Sequence, residues 1–189
     1  MAEKVSLSDI KNKPSKFCRK DEALEKTLAN FRAVLNMPDD ILIDLYVFSV
    51  DSIWARNNPK LQKYRGGFAR VNRSNRLKAH QIIIWSNTAD PEVALAHELG
   101  HIVHCEVCPE IRQYWNKVDR IFLQCFADYV AMLLVGRERV YACLRRCLAE
   151  AEGNNDEEGV EYYLSRLSKT KSDHSMPPFV TTLTPWKSR

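Results

Sequence analysis

Two histidines four residues apart, with a glutamate directly after the first, are the residues whose types and spacing suit chemistry: His97-Glu98-Leu99-Gly100-His101. On a helix, positions i and i+4 project from one face about a turn apart, so both imidazoles can converge on a single Zn2+ while the glutamate reaches a water activated by the metal. Zinc lowers the pKa of such a water to about 7. A neighbouring carboxylate then takes its proton as the oxygen attacks a polarised carbonyl, and later passes that proton to the leaving amine. The spacing therefore assigns His97 and His101 as metal ligands and Glu98 as general base, and amide hydrolysis is the expected reaction. The bland alternative is two incidental histidines on a helix, and burying those without a partner would be costly.

The motif needs a helix, and the residues before it supply one. Asp90 can cap, Pro91 suits the first helical position and Glu92 favours the positive end of the helix dipole. Val93, Leu95, Ala96, Leu99, Ile102 and Val103 would bury this helix and leave the histidine pair facing a cleft. Gly100 costs about 1 kcal/mol of helix propensity relative to Ala, which points either to close approach of another backbone or of substrate, or to simple helix packing. His104 lies one turn further on but lacks the downstream glycine and histidine spacing of a metzincin, so it reads as a core or rim residue.

Around this centre the chain reads as one main domain over 21–151, a polar lead-in over 1–20, and a linker, short helix and irregular tail over 152–189. Glu22–Leu35 has helical apolar spacing at Leu24, Leu28, Phe31 and Leu35. Ile41–Val50 is favoured as a strand. Gly67–Val71 can pair with His80–Trp85 across Asn72-Arg73-Ser74-Asn75 as an antiparallel hairpin. Beyond Pro109 a second long helix is indicated by Trp115, Val118, Phe122, Cys125 or Phe126, Tyr129 and Leu133, ending at Gly136, and a third covers Val140–Ala151. The stretch 152–159 reads as an acidic linker, with a short helix at 160–168 after it. The expected fold is α+β, with a short antiparallel sheet packed on the zinc helix and a second helix.

With 28 basic and 24 acidic residues the net charge is only +4, too small and scattered an excess to mark a nucleic-acid surface. No run of about 18 apolar residues and no secretory signal is legible, so the expectation is a soluble, cytoplasmic protein without a membrane partner. Disulfides are then not expected among the six cysteines. Cys105 and Cys108 have the spacing of half a structural zinc site, and Cys143 and Cys147 lie one helical turn apart, but buried thiols are the simpler reading.

The stretch Ala96-His97-Glu98-Leu99-Gly100-His101-Ile102-Val103-His104, followed by Ala127-Asp128-Tyr129-Val130-Ala131-Met132-Leu133-Leu134-Val135, resembles the ImmA/IrrE-type metallopeptidases and, more widely, the small gluzincins, over roughly residues 64–136. The resemblance implies a zincin-like fold, a strand edge above the zinc that can hold an extended peptide, and a protein or peptide substrate, often a regulatory protein. It also implies a glutamate on the second helix as third ligand, with an Asp or Asn four residues later that supports a ligating histidine or the local helix packing. Asp128 fits the later position, but the earlier one is Gln124. An amide oxygen brings no negative charge to offset the metal. Three arrangements follow: Asp128 itself is the carboxylate ligand, Gln124 is a weak one, or the centre is degenerate and the domain binds without cleaving. The need for an anionic donor favours Asp128, and the intact Glu98 argues against degeneracy. Cys125 sits about 100 degrees round the helix from Gln124 and reads as core. A non-peptide hydrolase is the further alternative, because the same zinc and glutamate can act on other carbonyls.

Overall fold

The structure, a computed structural model, describes residues 5–62, 66–71, 79–109 and 119–172. Its first helix, α1 (Leu7–Asn12), begins at a reciprocal cap in which the Asp9 amide donates to the Ser6 hydroxyl and the Ser6 amide donates to the Asp9 carboxylate. Pro14 opens α2 (Pro14–Phe17), and Asp21 caps α3 (Glu22–Val34), whose buried stripe includes Leu28 and Phe31. Strand β1 (Ile43–Phe48), short helices α4 (Ile53–Arg56) and α5 (Pro59–Gln62), and strands β2 (Gly67–Arg70) and β3 (His80–Trp85) follow. Four longer helices complete the described chain: α6 (Pro91–Val107), α7 (Arg120–Val135), α8 (Arg137–Gly153) and α9 (Glu157–Ser172). The architecture is α+β, mostly helical, with one three-stranded sheet.

That sheet is mixed, which corrects the antiparallel one expected. The hairpin is present, β2 running antiparallel to β3 with Ala69 opposite Ile82, while its turn over 72–75 lies outside the described residues. On the other side of β3, β1 runs parallel, with Leu45 opposite Ile82, so β3 is central. The physical reason is the connection: α4, α5 and β2 intervene between β1 and β3, and a crossover of that length lets two strands run in the same direction.

A central strand covered on both faces also accounts for the unbroken run Ile82-Ile83-Ile84-Trp85. Side chains alternate across a strand. Ile82 and Ile84 join the main core with Leu28, Phe31, Leu95, Leu99, Ile102 and Val130. Ile83 and Trp85 face a second core of Val5, Ile10, Phe17, Phe48, Ala55 and Leu61. The lead-in expected over 1–20 is thus in part the cover of the sheet.

Toward the C-terminus, α8 runs to Gly153 and α9 starts at Glu157, so the break between them is shorter than the linker read over 152–159. Helix α9 also exceeds the expected 160–168, and residues 173–189 of the tail lie outside the described residues. Trp115 and Val118, expected on the second helix, lie outside them too. The described part of that helix, α7, ends at Gly136, whose φ of 90° is open to glycine. Among the described residues no helix is long and apolar enough to cross a membrane.

Candidate metal centre

Helices α6 and α7 meet at their backbones. A Cβ built on Gly100 would lie 2.7 Å from the Ala127 Cα and 2.9 Å from its carbonyl oxygen, so of the two readings of Gly100 the structure takes close approach of another backbone. Each contact residue is flanked by chemistry. His97 and His101 lie either side of Gly100, and Gln124 and Asp128 lie either side of Ala127, so the crossing brings the four side chains together.

Asp128 is 1% exposed and its Oδ1 lies 2.8 Å from His97 Nδ1. Burial alone would raise its pKa, but the Arg166 guanidinium and His97 hold the carboxyl down at about 2. An ionised carboxylate can only accept, so His97 carries its proton on Nδ1 and donates it to Asp128. The opposite ring nitrogen, Nε2, faces the Gln124 amide: Gln124 Oε1 is 3.0 Å away, and Gln124 Nε2 is 3.3 Å from His101 Nε2. The two rings stand 4.9 Å apart, edge to face. Asp128 therefore lies on the far side of His97 from the shared amide, a different place from the one expected of a third ligand, and Gln124 is the side chain between the two Nε2 atoms.

This arrangement fits a cation that takes nitrogen and oxygen donors. The 3.0 Å contact of His97 Nε2 with Gln124 Oε1 is a hydrogen bond when the ring carries a second proton on Nε2; without that proton, two lone pairs face one another, and a cation between them or a rotated amide removes the conflict. Metal–donor bonds of about 2.0–2.1 Å at tetrahedral angles put donor atoms about 3.3 Å apart, and His97 Nε2 and Gln124 Oε1 stand 3.0 Å apart. Against this, the set is wholly neutral. Among the described residues no three His, Cys, Asp or Glu side chains are grouped to hold a metal, Cys105, Cys108, Cys143 and Cys147 included, and the six cysteines form no disulfide.

Glu98 is buried beneath β2, the outer strand nearest the site. Trp85 N–H donates to Gly66 O at 3.0 Å, and bonded pairs alternate along an antiparallel ladder, so Gly67 and Ala69 turn their peptide groups away from β3. The Ala69 N–H donates to the Glu98 carboxyl, whose pKa burial raises, with His97 opposing. Gly67 leaves the space that Glu98 fills: a Cβ there would lie 2.6 Å from Glu98 Cγ. Burial, and then His97, push the His101 pKa well down, so His101 is neutral and able to ligate. His104 stacks on the Phe126 ring at 3.9 Å, and burial lowers it to about 4.

Sequence reasoning missed Arg166. From α9 its Nη2 donates to Asp128 Oδ1 at 2.6 Å and its Nε to Oδ2 at 3.0 Å. The signal was slight: Arg166 occupies the inward stripe of Val160, Tyr163, Leu167 and Thr170, where a charge without a buried partner would be costly. No protein-family profile, curated protein or solved structure matches the chain.

Proposed function

We propose that the chain is a zinc-dependent, peptidase-type hydrolase of zincin-like architecture acting on a protein or peptide, with His97, His101 and the Gln124 oxygen as the metal's protein donors. The placement of one amide between both Nε2 atoms, its oxygen 3.0 Å from His97 and its nitrogen 3.3 Å from His101, carries the reading. Zinc held there supplies Lewis acidity and the activation of a water near neutral pH. The chain's own residues do the rest. Asp128 fixes the His97 proton on Nδ1 and so leaves Nε2 to ligate. Glu98, buried and with a raised pKa, accepts a proton more readily than a solvated carboxylate would, and returns it to the leaving nitrogen. Beside Glu98, which takes the Ala69 N–H, the Gly67 peptide groups and the Ala69 carbonyl turn away from β3, where an extended peptide can add as a further strand. The neutral Gln124 favours a second reading, a domain that binds its target without cleaving it.

Zinc titration of the metal-stripped protein tests the assignment. One zinc per chain is expected, with His101→Ala losing it and Gln124→Glu tightening it tenfold or more, on the order of 1.4 kcal/mol. In a peptide-library cleavage assay, Glu98→Gln should keep zinc and lower the rate at least about a hundredfold. No zinc uptake by the wild type would sink the metal reading. Zinc uptake with no cleavage beyond that of Glu98→Gln would favour the binding domain.

A further inference from the structure

We propose that Arg166 is a positioning residue of the metal centre: it grips both oxygens of Asp128, keeps that carboxylate away from the metal position, and through it holds the His97 ring with its proton on Nδ1. The proposal rests on the reading of His97, His101 and Gln124 as the donors. Asp128 accepts from Arg166 Nη2 at 2.6 Å and Nε at 3.0 Å, and from His97 Nδ1 at 2.8 Å. To reach the metal position Asp128 would have to leave a two-point guanidinium bond inside the protein, where a separated charge is costly. The side chains of Arg166 and Asp128 are 10% and 2% exposed, so water does not take over either role.

Helix α9 is itself fastened at the height of the site. The Tyr141 hydroxyl donates to Thr170 O at 2.9 Å and the Tyr129 hydroxyl to Lys169 O at 3.5 Å. The rings of Tyr162 and Tyr163 lie 5.3 and 5.8 Å from the guanidinium carbon, within cation–π range. Guanidinium position is thus set by α7, α8 and α9 together. A lysine in its place keeps the charge but is a point donor without the planar fork, so it cannot hold both carboxylate oxygens in one plane. The orientation of His97 then depends on a residue 38 positions beyond Asp128.

The test reads ring protonation in the metal-free protein, independently of zinc, by long-range proton–nitrogen NMR of histidine-labelled chains. In the wild type His97 Nδ1 is expected to carry a proton; an Nδ1 without one overturns the proposal. Arg166→Lys should fold, show both tautomers at His97 and bind zinc at least about tenfold more weakly. A folded Arg166→Lys with the single Nδ1 tautomer and zinc affinity within about twofold of wild type also overturns it. Should Arg166→Lys fail to fold, Arg166→Ala is studied with guanidinium ion added: zinc affinity that rises with guanidinium concentration is expected, and affinity independent of it overturns the proposal. A wild type that shows the Arg166-dependent tautomer yet takes up no zinc sinks the metal reading while leaving the positioning intact.

Discussion

At position 67 a single hydrogen atom decides where the proposed general base can lie. Because a Cβ at Gly67 would come within 2.6 Å of Glu98 Cγ and 2.9 Å of Ile84 Cδ1, Gly67→Ala must displace the Glu98 side chain or lift β2 off α6. Zinc affinity should stay within about twofold, since neither histidine moves, while the cleavage rate falls by about tenfold or more. Equal cleavage rates for Gly67→Ala and wild type would show that Glu98 does not work from under β2. In the sequence Gly66-Gly67 marks only the start of a strand, because what a missing Cβ makes room for comes from another element. His97 and His101 were legible for the opposite reason: their relation is local, one helical turn. Gln124 was visible as an anomaly, but its place between two imidazoles depends on the angle at which two helices cross.

That crossing is the device at the scale of elements. Adding a methyl at Gly100 drives it into the Ala127 backbone, which cannot rotate away as a side chain can. Gly100→Ala should therefore destabilise the fold by about 1–3 kcal/mol despite its better helix propensity, and it should weaken zinc binding by spreading the donors. Chemical denaturation and zinc titration on one sample check both, and a gain in stability would show that α6 and α7 have slack. Helix α6 also carries a pH dependence. Burial holds His104 at about 4, below its ordinary 6.5, so the unfolded chain takes up a proton there before the folded chain does. The associated stability is present above about pH 6.5 and lost as pH falls toward 4, on the order of 3 kcal/mol. His104→Phe should flatten that fall between about pH 7 and about pH 5, measured as the shift in urea midpoint. An unchanged shift would remove His104 as its source. The α6 boundary was legible because Asp90-Pro91-Glu92 is a local start signal. The direction of β1 was not, because it depends on the path taken by α4, α5 and β2.

Over the whole molecule the sheet separates two cores, and the smaller depends on residues that composition marks as a polar lead-in. Ile10 is fully buried there. Ile10→Ala should cost about 2–5 kcal/mol, as for a central core residue, with thermal melting as the check. A loss under about 0.5 kcal/mol would mean that the N-terminal helices merely rest on the sheet. The scattered Val5, Ile10 and Phe17 are too few for a periodic signal, whereas the run at 82–85, apolar on both faces, could have announced that something must cover each side. Arg166 was hidden by distance along the chain, and that distance sets an order of events. Growing at about 5–20 residues per second, a nascent chain makes Asp128 some 2–8 seconds before the arginine 38 positions later. In that interval the His97–Asp128 pair lacks its guanidinium and the outer side of α7 lacks α9, so on the proposed reading any metal captured then would be held by donors that have yet to be locked in place.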